Sequence, residues 1–250
     1  MKTIAIINQK GGVGKSTTAF TLASGLKNKG YKTLCIDMDA QGNLSYTADA
    51  NDDLLTIYDL LAEDADINQA IQHTKNFDLI ASSKALSGAD GFITNIGKEY
   101  KLKEILESVK NNYDYIIIDT PPALGILTVN ALTACDSVII PAQADIYSLQ
   151  GIEQLSKTIQ PIKKYCNDKL KIDGILLTRY SPRAILSREV AEIANDLAQN
   201  LNTKVFKSTI REAIAVKESQ INKQSLFDYA PNSNVTNDYL NFINELLKGE

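Results

Sequence analysis

The chain of 250 residues has no tryptophan, one histidine and only three cysteines. Cys35, Cys135 and Cys166 lie far apart and match no Cys-x-x-Cys spacing. This pattern argues against a cysteine-bound metal, an iron–sulfur cluster or a redox pair. Cys35 and Cys135 fall in or beside apolar segments, so we expect small buried hydrophobic residues there. The cysteine content therefore predicts a reducing, cytoplasmic environment.

Long apolar runs and low-complexity linkers are missing as well. Without a run of about 18 apolar residues, no transmembrane helix is predicted. The chain enters an apolar run at residue 3, which leaves no room for a signal peptide before it. No repeat or linker divides a sequence that is 44% hydrophobic, so we predict one domain spanning residues 1–250.

The net charge is also small, −4, but the charge is unevenly distributed along the chain. Residues 1–150 carry 12 basic and 18 acidic side chains, whereas residues 151–250 carry 14 basic and 12 acidic ones. Composition alone therefore does not indicate a nucleic-acid-binding protein. It allows a local basic surface on an otherwise acidic molecule.

Short β-branched runs alternate with helical stretches along the chain. We predict strands at about 2–8, 32–37, 77–81, 114–118, 137–141, 171–177 and 203–206. We predict helices near 15–29, 54–62, 99–110, 126–133, 147–165, 184–199 and 235–247. The uninterrupted runs suit strands buried on both faces. The alternation predicts an α/β fold, with a doubly wound, mostly parallel sheet of about seven strands and helices on both faces.

A glycine-rich loop, Asn-Gln-Lys-Gly-Gly-Val-Gly-Lys-Ser-Thr at residues 8–17, follows the first predicted strand. Its three glycines allow a tight turn in which successive N–H groups point at one anion, and the next helix adds its positive end. Lys15 can reach the β- and γ-phosphates, and the Ser16 hydroxyl can bind Mg²⁺. Gln9 stands where the strict Gly-x4-Gly-Lys-Ser/Thr pattern has glycine. A tight structural turn is the alternative, but the flanking strand and helix favour a phosphate-binding loop.

Carboxylates follow two other predicted strands. Asp37 and Asp39 come after the second strand, and Asp119 closes the run at residues 116–118. Ligands of such sheets lie beyond the carboxyl ends of the strands, so we expect all these groups at one edge. Asp119 then suits a magnesium ion held mainly through water, or alternatively caps the turn into the following prolines. Of Asp37 and Asp39, one could stay near the metal and the other orient the attacking water, or both could belong to a surface turn.

Lys10 is a second lysine within the phosphate-binding loop. It is hard to use within one subunit, because Lys15 already serves the phosphates. A simpler use is across a dimer, where Lys10 would contact the phosphates bound by the other copy, as an arginine finger does. The alternative is a solvated loop lysine.

The three segments at residues 10–17, 37–43 and 117–122 resemble the deviant Walker ATPases of the ParA/MinD superfamily, above all the ParA-type DNA-partition ATPases. Further segments at 130–132, 136–141, 148–151 and 227–231 extend the resemblance over almost the whole chain. The resemblance implies a P-loop NTPase fold, ATP and Mg²⁺ as cofactors, and slow, partner-stimulated ATP hydrolysis.

The resemblance also implies roles for individual residues. The catalytic residues would be Lys10, which reaches across a nucleotide-sandwich dimer, Lys15 on the phosphates, and Asp39 on the attacking water. The metal site would comprise Ser16, Asp39 and Asp119. The residues that would bind nucleotide are Lys10, Gly11, Gly12, Val13, Gly14, Lys15, Ser16 and Thr17, with Thr178 and Arg179 near the base.

Partition ATPases of this type bind DNA without sequence preference as ATP dimers, and a centromere-binding ParB-type partner releases them. The resemblance therefore implies a homodimer, a ParB-type partner, non-specific DNA and a cytoplasmic, nucleoid-associated location. Because nothing precedes the first strand, we expect no helix-turn-helix and no operator-specific binding. Phosphate contacts require basic side chains, of which we expect about half to matter. The candidates are Arg183, Arg188, Lys204, Lys207, Arg211, Lys217 and Lys223.

A MinD-like membrane-associated ATPase is the alternative function. It would end in a basic amphipathic helix. In the predicted helix 235–247, one face carries Leu240, Ile243, Leu246 and Leu247, but Lys248 is the only basic residue near its end. We therefore expect this face to pack in the core and predict no membrane partner.

Overall fold

In the computed structural model, which describes residues 1–249, seven strands form one sheet in the order β3-β4-β2-β5-β1-β6-β7. The strands are β1 (Lys2–Ile6), β2 (Thr33–Asp37), β3 (Ile71–His73), β4 (Asp78–Ile80), β5 (Tyr115–Asp119), β6 (Ser137–Gln143) and β7 (Lys171–Thr178). Neighbouring strands pair in parallel, except that the edge strand β3 runs antiparallel to β4. The prediction of a mostly parallel, seven-stranded sheet is confirmed.

Helices connect the strands and cover both faces of the sheet. The α-helices are α1 (Lys15–Asn28), α2 (Asn43–Thr47), α3 (Ile57–Ala62), α4 (Ile67–Ala70), α5 (Ala89–Phe92), α6 (Lys101–Glu107), α7 (Ile126–Ala134), α8 (Ile146–Tyr165), α9 (Ile185–Asn200), α10 (Ile214–Ile221), α11 (Leu226–Tyr229) and α12 (Asn234–Lys248). Short 3₁₀ helices lie at Lys84–Gly88 and Lys98–Tyr100.

Two apolar layers hold the helices against the sheet. In β5, Ile116 and Ile118 belong to one layer, with α3, α6, α7, α8 and α9, whereas Tyr115 and Ile117 belong to the other. This alternation follows from the two-residue period of a strand. Since both faces are covered, the inner strands are continuously apolar, which is why their runs could be recognised in the sequence.

The helices α1 and α12 pack against each other in the second layer. Leu22 and Leu26 of α1 lie in the same buried cluster as Phe242 and Ile243 of α12. Gly25 makes this close packing possible, because a Cβ atom at that position would overlap the Ile243 side chain. The apolar face of α12 is therefore core, as expected from its few basic residues.

Two parts of the predicted topology are wrong. Residues 203–206 do not form a strand; they contribute only an isolated bridge between Val205 and Ile175. The seventh strand is instead β3, a three-residue segment that was not predicted because Ile-Gln-His carries no apolar run. The helices α2, α4, α5, α10 and α11 were also not predicted. Among residues 1–249, no helix is long and apolar enough to cross a bilayer.

Candidate nucleotide-binding site

The sheet topology brings the three predicted segments together. The strands β2, β5 and β1 are adjacent, and their ends are in register, so that Asp119 pairs with Asp37 on one side and with Ile6 on the other. The glycine-rich loop leaves the sheet just beyond Ile6. Its lysine, the aspartates after β2 and the aspartate at the end of β5 therefore meet at one edge, as predicted.

The glycine-rich loop uses two backbone conformations that favour glycine. Gly12 has φ +79° and Gly14 has φ +90°, both in the left-handed region. Gly14 is the N-cap of α1, so the free N–H groups of the first helical turn open into the loop. A backbone of this shape forms an anion-binding nest.

Lys15 is held inside this loop. Its side chain is almost completely buried, and its Nζ donates to the Lys10 carbonyl at 3.4 Å. Burial lowers the pKa of Lys15, although the negative charges of Asp119 and Asp39 oppose that shift. An ammonium group with so little water around it gains most from an additional anion, such as a phosphate.

The Asp119 carboxylate is completely buried, and among the described residues neither of its oxygens meets a hydrogen-bond donor in good geometry. Burial and the nearby Asp37 raise its pKa well above the ordinary value, against the weaker influence of Ser16 and Lys15. A buried carboxylate whose oxygens accept no hydrogen bond would be stabilised by a cation bound beside it. The described residues include no cluster of three or more His, Cys, Asp or Glu side chains suited to a metal. A cation here would therefore take most ligands from phosphate and water, which fits Mg²⁺.

Asp37 and Asp39 have different environments. Asp37 is completely buried and accepts hydrogen bonds from the Ser45 N–H, the Ser45 hydroxyl and the Asp39 N–H at 2.9, 2.7 and 3.1 Å. Burial raises the pKa of Asp37 to about 6, against these hydrogen bonds. Asp39 is only partly buried and faces the cavity described next. The structure thus gives Asp37 a loop-fixing role and leaves Asp39 open towards ligand.

A cavity of about 600 Å³ opens over these groups and is lined by Lys15, Ser16, Asp39 and Pro122, among others. It adjoins a smaller cavity of about 160 Å³, and the two share a set of lining residues. The shared residues are Gly14, Thr17, Arg179, Lys217 and Gln220. Phosphates fit the larger cavity, which Lys15 and Ser16 line, and a flat base fits the smaller one.

Thr178 and Arg179 end β7 beside the loop. The Thr178 hydroxyl donates to the Val13 carbonyl at 2.9 Å, so it holds the loop itself. Arg179 has φ +48°, a left-handed conformation that is unusual for arginine, and it lines both cavities. Gln220 of α10 donates from Nε2 to the Thr17 hydroxyl at 3.0 Å. The part of the chain beyond β7 is therefore fastened directly to the phosphate-binding loop.

Lys10 lies in an ion pair within its own chain. Its Nζ contacts Asp145 Oδ1 and Oδ2 at 2.7 and 2.6 Å. Asp145 is also the N-cap of α8, where it accepts a hydrogen bond from the Ser148 N–H at 2.9 Å. Partial burial works against it, but these hydrogen bonds lower the pKa of Asp145. Lys10 is therefore held at the start of α8 in this structure.

The seven candidates for DNA contact differ in their surroundings. Arg211 forms a two-pronged ion pair with Asp238, and Lys223 pairs with Asp49 at 2.6 Å. Lys217 and Arg211 line the smaller cavity. All seven are exposed, including the remaining four, Arg183, Arg188, Lys204 and Lys207.

Asp145, Ser45, Ser82 and Gln220 complete the site but were missed in the sequence. Asp145 follows β6, so the rule that ligands gather beyond strand ends could have found it. Ser82 lies just beyond β4 and could have been found in the same way. Gln220 lies on a helix that was not predicted, and its sequence carries no signal for this contact.

Comparison with known proteins agrees with this geometry. Residues 1–172 match a family model described as an AAA domain. Over 250 residues the chain is 40% identical to the sporulation initiation inhibitor protein Soj of Bacillus subtilis, covering 98% of both chains. It is 37% identical to the chromosome partitioning protein ParA of Myxococcus xanthus, covering 98% of this chain and 87% of that protein.

Solved structures give the same result. A plasmid partition protein of Borrelia burgdorferi B31 bound to AMPPNP superimposes with a TM-score of 0.84 at 29% identity, covering 100% of this chain and 99% of that one. Another neighbour was crystallised with ADP and magnesium, and ATP and Mg²⁺ are the cofactors of this fold. The buried loop lysine, the unpartnered Asp119 and these likenesses show together that the chain belongs to the Soj/ParA family of partition ATPases.

Proposed function

We propose that this protein is a DNA-partition ATPase whose ATP-bound homodimer binds DNA without sequence preference. A centromere-binding ParB-type partner stimulates slow hydrolysis and so releases the dimer. The observation that carries the proposal is a pair of buried groups: Lys15, which lines the larger cavity, and Asp119, whose carboxylate oxygens meet no hydrogen-bond donor among the described residues. A nucleotide with its magnesium ion would supply the negative charge beside Lys15 and the positive charge beside Asp119.

Within one copy, each residue has a defined task. The loop N–H groups and Lys15 bind the β- and γ-phosphates, and the Ser16 hydroxyl and Asp119 would hold Mg²⁺, directly or through water. The ion supplies charge neutralisation on the phosphates when it is bound. Asp39 stands free beside the cavity and orients the water that attacks the γ-phosphate. Thr178 and Arg179 place the base end of the nucleotide.

Lys10 makes the reaction depend on a second copy. In the single chain its ammonium group is occupied by Asp145. We propose that on dimerisation it leaves Asp145 and contacts the phosphates bound by the other copy, where it stabilises the charge of the transition state. Because Asp145 caps α8, this exchange also changes the start of that helix and gives the dimer a surface that the monomer lacks.

DNA binding would draw on the exposed basic residues. Arg183 and Arg188 lie around the start of α9, and Lys204 and Lys207 lie in the segment that follows. Each copy offers only a modest patch, so two copies are needed for a continuous basic surface with a steep salt dependence. DNA binding would then depend on ATP, because ATP brings the two copies together, and the ATP-bound dimer would lie on the nucleoid in the cytoplasm.

The alternative, a membrane-associated positioning ATPase, has less support. Its anchor would be an amphipathic helix with a free apolar face. Ile243 and Leu246 of α12 are instead buried in the core, against the same layer as α1.

Retention on immobilised DNA of mixed sequence tests the proposal, with anionic liposomes as the second surface. We expect retention on DNA with ATP, little with ADP, and a steep loss as salt rises. The variant Arg183→Ala/Arg188→Ala should weaken retention, whereas Lys84→Ala/Lys103→Ala, which removes the same charge from two other exposed sites, should not. Equal retention with ATP and ADP would contradict the ATP–DNA link, and ATP-dependent retention on liposomes alone would favour the membrane alternative.

A further inference from the structure

Ser82 lies against the backbone of Asp39. The strand β4 is the neighbour of β2 in the sheet, so the residues after β4 emerge beside those after β2. Ser82, two residues beyond β4, donates its hydroxyl proton to the Asp39 carbonyl at 2.5 Å. Its own N–H donates to the Ser45 hydroxyl at 2.9 Å. The connection after β4 is therefore joined to the loop that carries Asp39.

These contacts form a chain that ends on both aspartates. The Ser45 hydroxyl accepts from Ser82 and donates to Asp37, and the Asp39 N–H donates to the other oxygen of Asp37. The Asp39 carbonyl accepts from the Gly42 N–H at 2.8 Å as well as from Ser82. The Ser45–Asp37, Asp39–Asp37 and Gly42–Asp39 hydrogen bonds lie within the segment 37–45 itself. The Ser82 hydroxyl differs because it fixes the peptide of Asp39 from a neighbouring strand connection.

We propose that Ser82 is a positioning residue for Asp39. This inference rests on the proposed function, in which Asp39 orients the attacking water. The Asp39 side chain is only partly buried and accepts one backbone hydrogen bond, from Gln41 N–H at 3.1 Å. Its direction is therefore set largely by its own backbone. The Ser82 hydroxyl holds that backbone, and with it the distance between carboxylate and water, to which hydrolysis is sensitive.

The neighbouring serine has a different task and gives a matched control. The Ser83 hydroxyl accepts from the Ala85 N–H at 3.2 Å and caps the 3₁₀ helix Lys84–Gly88. Ser83→Ala removes the same atom from the next residue but leaves the Asp39 carbonyl untouched. Ser82→Ala keeps the Ser82 N–H bond to Ser45, so it removes only the bond to Asp39.

The test compares single-turnover hydrolysis of Mg·ATP with ATP affinity and thermal stability in the wild type and the variants. Loss of one hydrogen bond predicts a roughly fivefold lower hydrolysis rate in Ser82→Ala, with an ATP Kd within about twofold of the wild-type value. Ser82→Thr, which keeps the hydroxyl, should restore the rate, and Ser83→Ala should match the wild type. Ser82→Cys, which keeps the size but donates weakly, should fall between and serves if the alanine variant does not fold.

The outcomes separate this inference from the proposed function. A wild type that binds but does not hydrolyse ATP would overturn the proposed function, and the role of Ser82 with it. A hydrolysing wild type with an unchanged rate in Ser82→Ala would overturn only the role of Ser82. An equal loss of hydrolysis rate in Ser83→Ala would also overturn the role of Ser82. The same holds if the hydrolysis rate and the ATP affinity of Ser82→Ala fall together, because both results indicate a merely structural contact.

Discussion

At the residue scale, Thr178 holds the phosphate-binding loop with one hydroxyl group. Thr178 is buried at the end of β7, and its partner is the Val13 carbonyl, one residue before the glycine that caps α1. Its position beside the nucleotide was expected from the family resemblance. The contact itself could not be read from the sequence, because residues 13 and 178 meet only through the pairing of β1, β6 and β7.

We expect Thr178→Val to weaken ATP binding by roughly threefold to tenfold, because the Val13 carbonyl loses its donor and the loop becomes less well defined. Titration with a fluorescent ATP analogue measures the effect. Thr178→Ser keeps the hydroxyl and should bind almost as tightly as the wild type. An unchanged Kd in the valine variant would show that the loop keeps its shape without this bond.

At the element scale, the segment after β7 depends on α12. Glu245 of α12 accepts hydrogen bonds from the Lys207 and Ser208 N–H groups, both at 2.8 Å. Partial burial opposes the shift, but these two bonds, with the Ser208 side chain and Lys204, lower the pKa of Glu245 below its ordinary value of 4.5. A carboxylate whose pKa is lowered by folding stabilises the fold above its unfolded pKa and loses this contribution as pH falls through the folded pKa.

Glu245→Gln should therefore lower the free energy of unfolding at neutral pH by roughly 0.5–1 kcal/mol, a small amount because the group is partly solvated. The difference in the free energy of unfolding between Glu245→Gln and the wild type should shrink as the pH falls below the ordinary pKa of glutamate. It should vanish once the pH is below the lowered pKa of Glu245. Thermal or urea unfolding at pH 7 and pH 3.5 measures both values. Glu192→Gln, on the exposed side of α9, is the control and should show no such pH-dependent loss. A Glu245→Gln deficit of the same size at both pH values would contradict the linkage.

Elements with long, regular patterns were predictable and most short ones were not, although the three-residue β4 was predicted, at about 77–81. The apolar runs of β1, β2, β5, β6 and β7 are continuous because helices cover both faces of the sheet, and all five were found. The strand β3 has three residues and an edge position, so its sequence carries little pattern. In α10, isoleucine and valine weaken the helical signal, and Ile214 and Ile221 are exposed, so no apolar stripe marks the helix. The segment 203–206 reads as a strand but forms only an isolated bridge beside β7.

At the scale of the whole molecule, the nucleotide site includes Lys10, which forms an ion pair with Asp145 of its own chain. The residues Lys15, Asp39 and Asp119 could be found in the sequence because each follows a strand of the same sheet. The ion pair between Lys10 and Asp145, 135 positions apart, was not predicted, although Asp145 also follows a strand of this sheet. The role of Lys10 across a dimer stays a prediction, and the variant Asp39→Ala tests it best.

Asp39→Ala should trap an ATP-bound dimer, because water attack fails while both phosphate sites remain filled. Size-exclusion chromatography with light scattering should show a dimer that persists with Mg·ATP and is absent with ADP. In the same background, Lys10→Ala should return the protein to a monomer while keeping part of its ATP affinity. A monomeric Asp39→Ala variant with bound ATP would mean that Asp39 has another role, and a normal dimer in the double variant would remove Lys10 from the interface.

The packing of α12 on α1 has a consequence for synthesis of the protein on the ribosome. Helix α1 leaves the exit tunnel early, but the residues that cover its apolar face around Gly25 follow about 200 positions later. Until those residues are synthesised, the apolar face of α1 is exposed to solvent, and chaperones and proteases can reach the nascent chain. Fragments from interrupted translation would lack this cover, and the apolar face of α1 would stay exposed to solvent.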